Sequence, residues 1–401
     1  MARSHDMTSG SIWRSLLGFS IPIMISNLVQ STYNAVDMLF VGRFTGTESL
    51  AAVSVCGPIL NVMIITLSGM SAGVLVVISG LLGAGDIKQA QDAAHTSVAL
   101  YALMAAVMTV LGLLFVPQIL RLVQTPAAAM PEAKRYLYTV FAGTVFTFGY
   151  NLIGALQRGL GNAAASMSFV IISSAANIAL DAVFIVWLGM GAFGAALGTV
   201  LSQVAAFVIG TVQFARGGAA LRLSARAVRF HKKHLKNILL FGVPTALNEV
   251  MVNLAMLTVS GVANSFGLAS SAAYGVGSRI NSLAIFTDGA MNQTMSAYAS
   301  QNIGAGRQKR ALEGLWKAII LSAGAALGTS LLVLGFASEF SACFDSDPAV
   351  IEQSAAFLRV TVWSYPLFAT VGPLIGFIRG TGNVEASLLV GVVAQLCCRV
   401  P

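Results

Sequence analysis

Charge is what this sequence lacks. Only 9% of its 401 residues are charged, against about 25% in an ordinary soluble domain, while 56% are hydrophobic and the mean hydropathy is +0.81. A water-soluble chain of this length would still need a polar skin around its core, and there is little here to build one. Lipid is therefore the expected solvent. Cysteine is scarce too: Cys56, Cys343, Cys397 and Cys398 show neither metal-ligand spacing nor a disulfide framework. The four histidines (His5, His95, His231, His234) fall in predicted loops or at span ends, and His231 and His234 read as a solvated pair among lysines. No nucleophile elbow, phosphate loop or paired-histidine motif occurs. Nothing marks an enzyme, and no cofactor or resident metal is expected. Met1–Gly10 has no run of positive charge and the first apolar segment is too long for a signal peptide, so an uncleaved first helix is expected.

Long apolar runs take the place of those features. Ten complete ones lie near 16–41, 54–80, 94–116, 137–157, 163–188, 192–214, 238–262, 280–300, 316–338 and 358–378, and an eleventh opens near 384. Each is long enough to cross a ~30 Å hydrocarbon layer as a tilted helix. The strands of a membrane barrel would be shorter and would alternate, which these runs do not. The expected class is all-α and polytopic. A net charge of +8 raises the question of nucleic acid, but the bases are placed otherwise. With a cytoplasmic N-terminus, the connection at 215–237, carrying Arg216, Arg222, Arg226, Arg229, Lys232, Lys233 and Lys236, is cytoplasmic, as is that holding Arg307, Lys309 and Arg310. The opposite loops mix scattered bases with acids. That bias sets membrane topology, and no nucleic-acid partner is expected.

Two loop motifs recur at one offset. Arg158-Gly159-Leu160-Gly161-Asn162 returns as Arg379-Gly380-Thr381-Gly382-Asn383, 221 residues later, and Gly83-Ala84-Gly85 returns as Gly304-Ala305-Gly306 at the same distance. A shared offset marks a duplication, and duplicated apolar halves are the usual construction of secondary transporters. Six spans precede the linker, so both halves enter from one side and the repeats are parallel. The expected units are a six-helix lobe at 1–214, a basic linker at 215–237 and a second lobe at 238–401. By the same offset the second lobe would close near 435, roughly 34 residues past Pro401, so it is expected to break off after ten to eleven helices.

Four acids fall inside predicted spans: Asp37, Asp181, Glu249 and Asp288. An ionised carboxylate in hydrocarbon costs about 3 kcal/mol on insertion scales, so such residues normally face a polar cavity and carry function. The alternative places each near a span end, satisfied by water. Asn177 and Asp181 are four residues apart and share a helix face, with Ser173 and Ser174 extending the stripe. A cavity in the outer half of the first lobe, lined by Asp37, Asn177, Asp181 and Thr199, is the simplest arrangement. Methionines at 24, 38, 63, 70, 256, 291 and 295 offer adaptable walls for varied substrates, or ordinary packing.

With Pro22, Tyr33-Asn34, Asp37-Met38-Leu39-Phe40-Val41-Gly42 and both pairs of turns, the chain resembles the multidrug and toxic compound extrusion family over essentially its whole length. The resemblance implies a cation site at Asp37, Asn177, Asp181 and Thr199, with transient Na+ as one occupant, and a bend in helix one at Pro22. It implies an inner-membrane monomer that exchanges inward H+ or Na+ for outward amphipathic, often cationic, drugs. Glu249, Asp288, Tyr33 and Asn34 are candidates for the substrate cavity. A second-lobe sodium site of the kind built from acids in helices seven and ten is not expected, because the tenth span has no acid. A flippase for lipid-linked oligosaccharides, with the same lobe architecture, would line its cavity with bases, and the span interiors hold acids instead. A membrane-embedded enzyme or receptor would not explain the duplicated halves.

Overall fold

The computed structural model describes residues 6–216, 221–284 and 286–393. They form α1 (Ile12–Phe44), α2 (Thr47–Gly83), α3 (Ile87–Leu122), α4 (Met130–Gly159), α5 (Ala163–Asp181), α6 (Gly191–Arg216), α7 (Lys232–Ser265), α8 (Leu268–Ala284), α9 (Phe286–Gly304), α10 (Gln308–Ala342), α11 (Pro348–Thr361), α12 (Tyr365–Phe368), α13 (Val371–Gly380) and α14 (Val384–Val392). No strand occurs among the described residues. Nine helical elements among them are long and apolar enough to cross a membrane, and side chains such as Leu114, Leu331 and Val360 point outward from the bundle. This is a multi-pass membrane protein. The run expected at 280–300 straddles α8 and α9, and residue 285 lies outside the described residues, as does the end of the eleventh run. α7 begins at Lys232, inside the stretch read as linker, because Lys232, Lys233 and Lys236 occupy its first turns.

The duplicated turns have the same construction in both halves. Gly85 and Gly306 take φ of +73° and +72°, and Gly161 and Gly382 take +79° and +93°, a region that glycine enters without strain. Asn162 accepts a hydrogen bond from Ala165 N at 3.0 Å and Asn383 one from Ala386 N at 3.2 Å. Each asparagine thus caps the next helix by satisfying an otherwise orphaned amide, worth about 1 kcal/mol. The motif therefore encodes a reversal and a restart. All four turns lie at one end of the bundle, here termed the turn face.

At that face the two lobes close on each other. A Cβ on Gly83 would lie 2.7 Å from the Gln301 carbonyl carbon, and one on Gly304 would lie 3.0 Å from the Gly80 carbonyl carbon. Those two contacts exchange under the 221-residue offset, as an axis along the membrane normal requires. Ser300 Oγ donates to the Val76 carbonyl at 2.7 Å. Further up, Gly69 and Gly73 of α2 meet α7 at Gly242, Ala246 and Ile238. Small residues let backbones approach where apolar lipid supplies no driving force of its own. The segment before α1 is strapped across the same seam. Met7 is 1% exposed, its N–H donates to Gln301 Oε1 at 2.8 Å, and Asn302 Nδ2 donates to its carbonyl at 3.2 Å. Arg310 donates to the Ser9 and Gly10 carbonyls.

Candidate cation and substrate sites

α5 packs between α1 and α6, and that sandwich gathers the polar residues of the first lobe. Asn177 and Thr199 line one cavity together with Tyr33, Ser173, Ser174 and Gln203, with room of about 20 Å³ for water-sized occupants, enough for a single molecule. Ser173 Oγ donates to the Ser202 carbonyl at 3.1 Å. Of the four residues expected to line one cavity, Asn177 and Thr199 do so, and Asp37 and Asp181 stand outside its lining.

Asp181 is fully buried at the end of α5 and Asn177 is 2% exposed. Among the described residues, neither oxygen of Asp181, neither polar atom of the Asn177 carboxamide, nor Oδ1 of Asp37 has a hydrogen-bond partner. Buried polar atoms are normally paired, and leaving one unmet costs about 1–3 kcal/mol. A cluster of orphaned oxygens fits a proton or a small cation as the missing partner, so the donor set suits the expected ion. Asp37 and Asp181 lie within electrostatic range of one another, and Tyr136 of α4 sits among both and Tyr33.

Sequence reasoning missed several parts of this region. Gly198 abuts the Asp181 carboxylate, and any side chain there would collide with Oδ1. A π-helical turn, Ala182–Trp187, follows Asp181 directly; such widened turns recur at functional sites. Gln30, Tyr150, Val170 and Ser202 complete the lining, and Thr147 donates to Gln203. Nothing but the fold singles these residues out.

The expected substrate set divides. Tyr33 belongs to the first-lobe cavity, whereas Asn34 is exposed on α1. Glu249 and Asp288, both half-buried, lie in the second lobe, Glu249 near Arg379, which donates to Asn292 Oδ1 at 3.0 Å. Pro22 sits inside α1, which is helical on both sides of it. Met63, Met70, Met291 and Met295 are buried core residues; Met70 fills the space beside Gly242 between the lobes, a packing role. His231 lies 3.8 Å from Asp92, and no group of metal-ligating side chains forms among the described residues.

The MatE family signature matches residues 22–183 and 244–401, one block in each repeat. The chain belongs to the MatE family. It is 27% identical over 399 residues to the probable multidrug resistance protein YpnP of Bacillus subtilis, covering 100% of this chain and 89% of that one. It is 23% identical to the multidrug export protein MepA of Staphylococcus aureus, covering 95% and 85%. Among solved structures, an outward-facing multidrug resistance MATE family transporter of the MOP superfamily superposes with a TM-score of 0.92 at 25% identity, covering 100% of this chain and 89% of that one. MatE proteins of this kind are transporters, and the two-lobed helical fold is theirs.

Proposed function

We propose that this chain is a secondary active exporter that exchanges an inward H+ or Na+ for an outward amphipathic, often cationic, drug. The observation that carries this reading is the cluster of unpartnered oxygens at Asp37, Asn177 and Asp181, buried inside a lobe of a MatE transporter. Export of multidrug type is what the names of YpnP and MepA suggest for their relatives. Coupling requires that ion and drug favour different states or compete for the same carboxylates. With the turn face closed and placed in the cytoplasm, the lobes stand in the outward-facing arm of an alternating-access cycle. Loading the first-lobe carboxylates would then occur from outside, and drug release would follow. The protein acts as a monomer in the inner membrane. Efflux of a labelled organic cation from proteoliposomes tests the reading: an imposed inward proton or sodium gradient is expected to drive it. Efflux indifferent to both gradients would overturn coupled exchange.

The orientation has its own test. The basic stretch around Ser224 is expected in the cytoplasm and Thr47 outside, from the bias of basic residues. In a background free of other cysteines, Thr47→Cys is expected to react in intact cells with a membrane-impermeant thiol reagent, and Ser224→Cys only after lysis. Labelling of position 224 from outside would invert the topology.

A further inference from the structure

The second lobe carries an intramembrane carboxylate that the first-lobe reading does not use. The last long span does not run straight: α11 gives way to a 3-10 turn at Val362–Ser364, then the single turn of α12, then α13. A helix restarted inside a membrane has unmet amides at its N-terminus and no water to satisfy them. α13 has no side-chain cap of its own at Thr370, and Pro373 contributes no N–H. The Gly372 N–H instead donates at 2.7 Å to Asp288 Oδ1 of α9. A carboxylate from another helix takes the place of an N-cap.

The seam is built around that contact. Gly372, Gly376 and Gly380 recur every four residues on α13, and a Cβ on any of them would strike α9, at Asp288, Asn292 and Ser296 respectively. Only the last of these contacts has a counterpart in the first repeat, where a Cβ on Gly159 would strike Ile78 of α2; the Asp288 contact has none. At the 221-residue offset, Asp288 stands where the first lobe has Leu67, Asn292 where it has Ser71, and Gly372 where it has Asn151. Asp37, in turn, corresponds to Thr258. Glu249 lies on α7, the counterpart of α1, whereas Asp288 has no equivalent acid in the first lobe.

We propose that Asp288 is a second proton-binding site, in which the ionised carboxylate clasps the restarted helix α13 and its protonated form lets that helix go. The proton comes from water and sits on a carboxylate oxygen; no bond other than the Gly372 hydrogen bond is altered. A charged acceptor makes the stronger bond to an amide and also favours the positive end of a helix. Protonation removes both advantages and leaves an amide in the broken span poorly satisfied. Discontinuous helices are where transporters place ligand sites and moving parts.

The charged groups on the elements packed against α9 leave Asp288 to itself. On α13, Arg379 is engaged with Asn292, with Glu249 of α7 beyond it. On α10, Arg310 lies at the turn face with Tyr298, as do Lys309, Glu313 and Lys317 by sequence position, and Glu339 lies at the far end. On α1 the charged residues are Arg14, Asp37 and Arg43, on α2 Glu48 and on α8 Arg279. None of them forms an ion pair or hydrogen bond with Asp288 among the described residues.

Hydrogen exchange in the purified full chain tests the proposal without any transport step. The amides of the segment beginning at Val371 are followed between about pH 4 and about pH 9, a range that spans ordinary and shifted carboxylates. After correction for intrinsic exchange against the buried core of α2, protection is expected to fall on acidification by about fivefold, the factor a lost cap of ordinary strength produces. Asp288→Asn keeps an acceptor for the amide but cannot titrate, and is expected to abolish the acid response. Trp363, inside the break, supplies a second readout: its emission in a chain whose other tryptophans are replaced by Phe is expected to titrate in parallel. Asp37→Asn and Asp181→Asn are expected to leave both responses intact, so failure of the first-lobe reading is seen separately. Exchange and emission that ignore pH in the parent, or that still respond in Asp288→Asn, would overturn the proposal.

Discussion

Asp37→Asn and Asp181→Asn are each expected to abolish ion-driven export while leaving the protein inserted and folded. Both carboxylates lie inside spans, and the oxygens of Asp181 and Oδ1 of Asp37 have no partner among the described residues. Asparagine nearly preserves size and retains one acceptor, so the packing of α5 between α1 and α6 survives. It cannot take up and release a proton, and it is a weaker ligand for sodium. Coupling between two ligands in allosteric proteins is typically worth about 1–3 kcal/mol, or roughly 5–150-fold in affinity. That factor is what the substitutions should remove. In proteoliposomes, drug binding should become insensitive to the coupling ion, and gradient-driven efflux should fall to the rate of protein-free vesicles. A protonation site predicts pH-dependent drug release without sodium, and a sodium site predicts the converse. Wild-type efflux in both variants would discard the first-lobe site and shift attention to Glu249 and Asp288. A separate substitution probes the geometry: Gly198→Ala places a methyl against Asp181 Oδ1 and should impair the same coupling without removing an acid.

Much of this was readable because membrane folds simplify the grammar of a sequence. The 221-residue offset rests on two short loop motifs, and the structure gives those motifs a shared physical meaning: the same glycines at positive φ and the same asparagine caps. Asn177 and Asp181 announced a helix face through their spacing alone. Other features had no local signal. Gly198 is one of 40 glycines, and only the approach of α5 to α6 distinguishes it. Gln30 and Gln203 are ordinary polar residues until two helices bring them to one cavity. The broken course of α11 to α13 was hidden because hydropathy averages over a span: Pro366, Gly372 and Pro373 interrupt the helix without lowering its apolar content. The strap from Asp6 to Gly10 was invisible for a different reason. It is held by Gln301, Asn302 and Arg310 from the other repeat, nearly 300 residues away in the sequence.

A wedge at the turn face should produce the second large effect. Gly83 and Gly304 are the points where α2 and α9 touch, each against backbone of the opposite lobe, so no flexible side chain can yield to an added methyl group. Gly83→Val and Gly304→Val therefore have to push the lobes apart. Overpacking a tight contact typically costs about 1–3 kcal/mol, and a cost borne only by the closed arrangement shifts its population by roughly 5–150-fold. Ser300 reports the change. It is 5% exposed and bonded to the Val76 carbonyl across the seam, so a cysteine placed there is shielded while the face is closed. In a background free of other cysteines, Ser300→Cys should react slowly with a membrane-impermeant thiol reagent supplied from the turn face. Adding either wedge should speed that reaction by at least about tenfold and reduce drug export in proportion, because a transporter held open on one side completes few cycles. Gly335→Ala is the matching control, since an added Cβ there meets nothing within 4 Å; it should change neither reading. If the wedged proteins export at the parental rate and the thiol introduced by Ser300→Cys stays shielded, the glycine contacts do not hold the closed state, and the strap from Met7 to Gly10 becomes the element to cut.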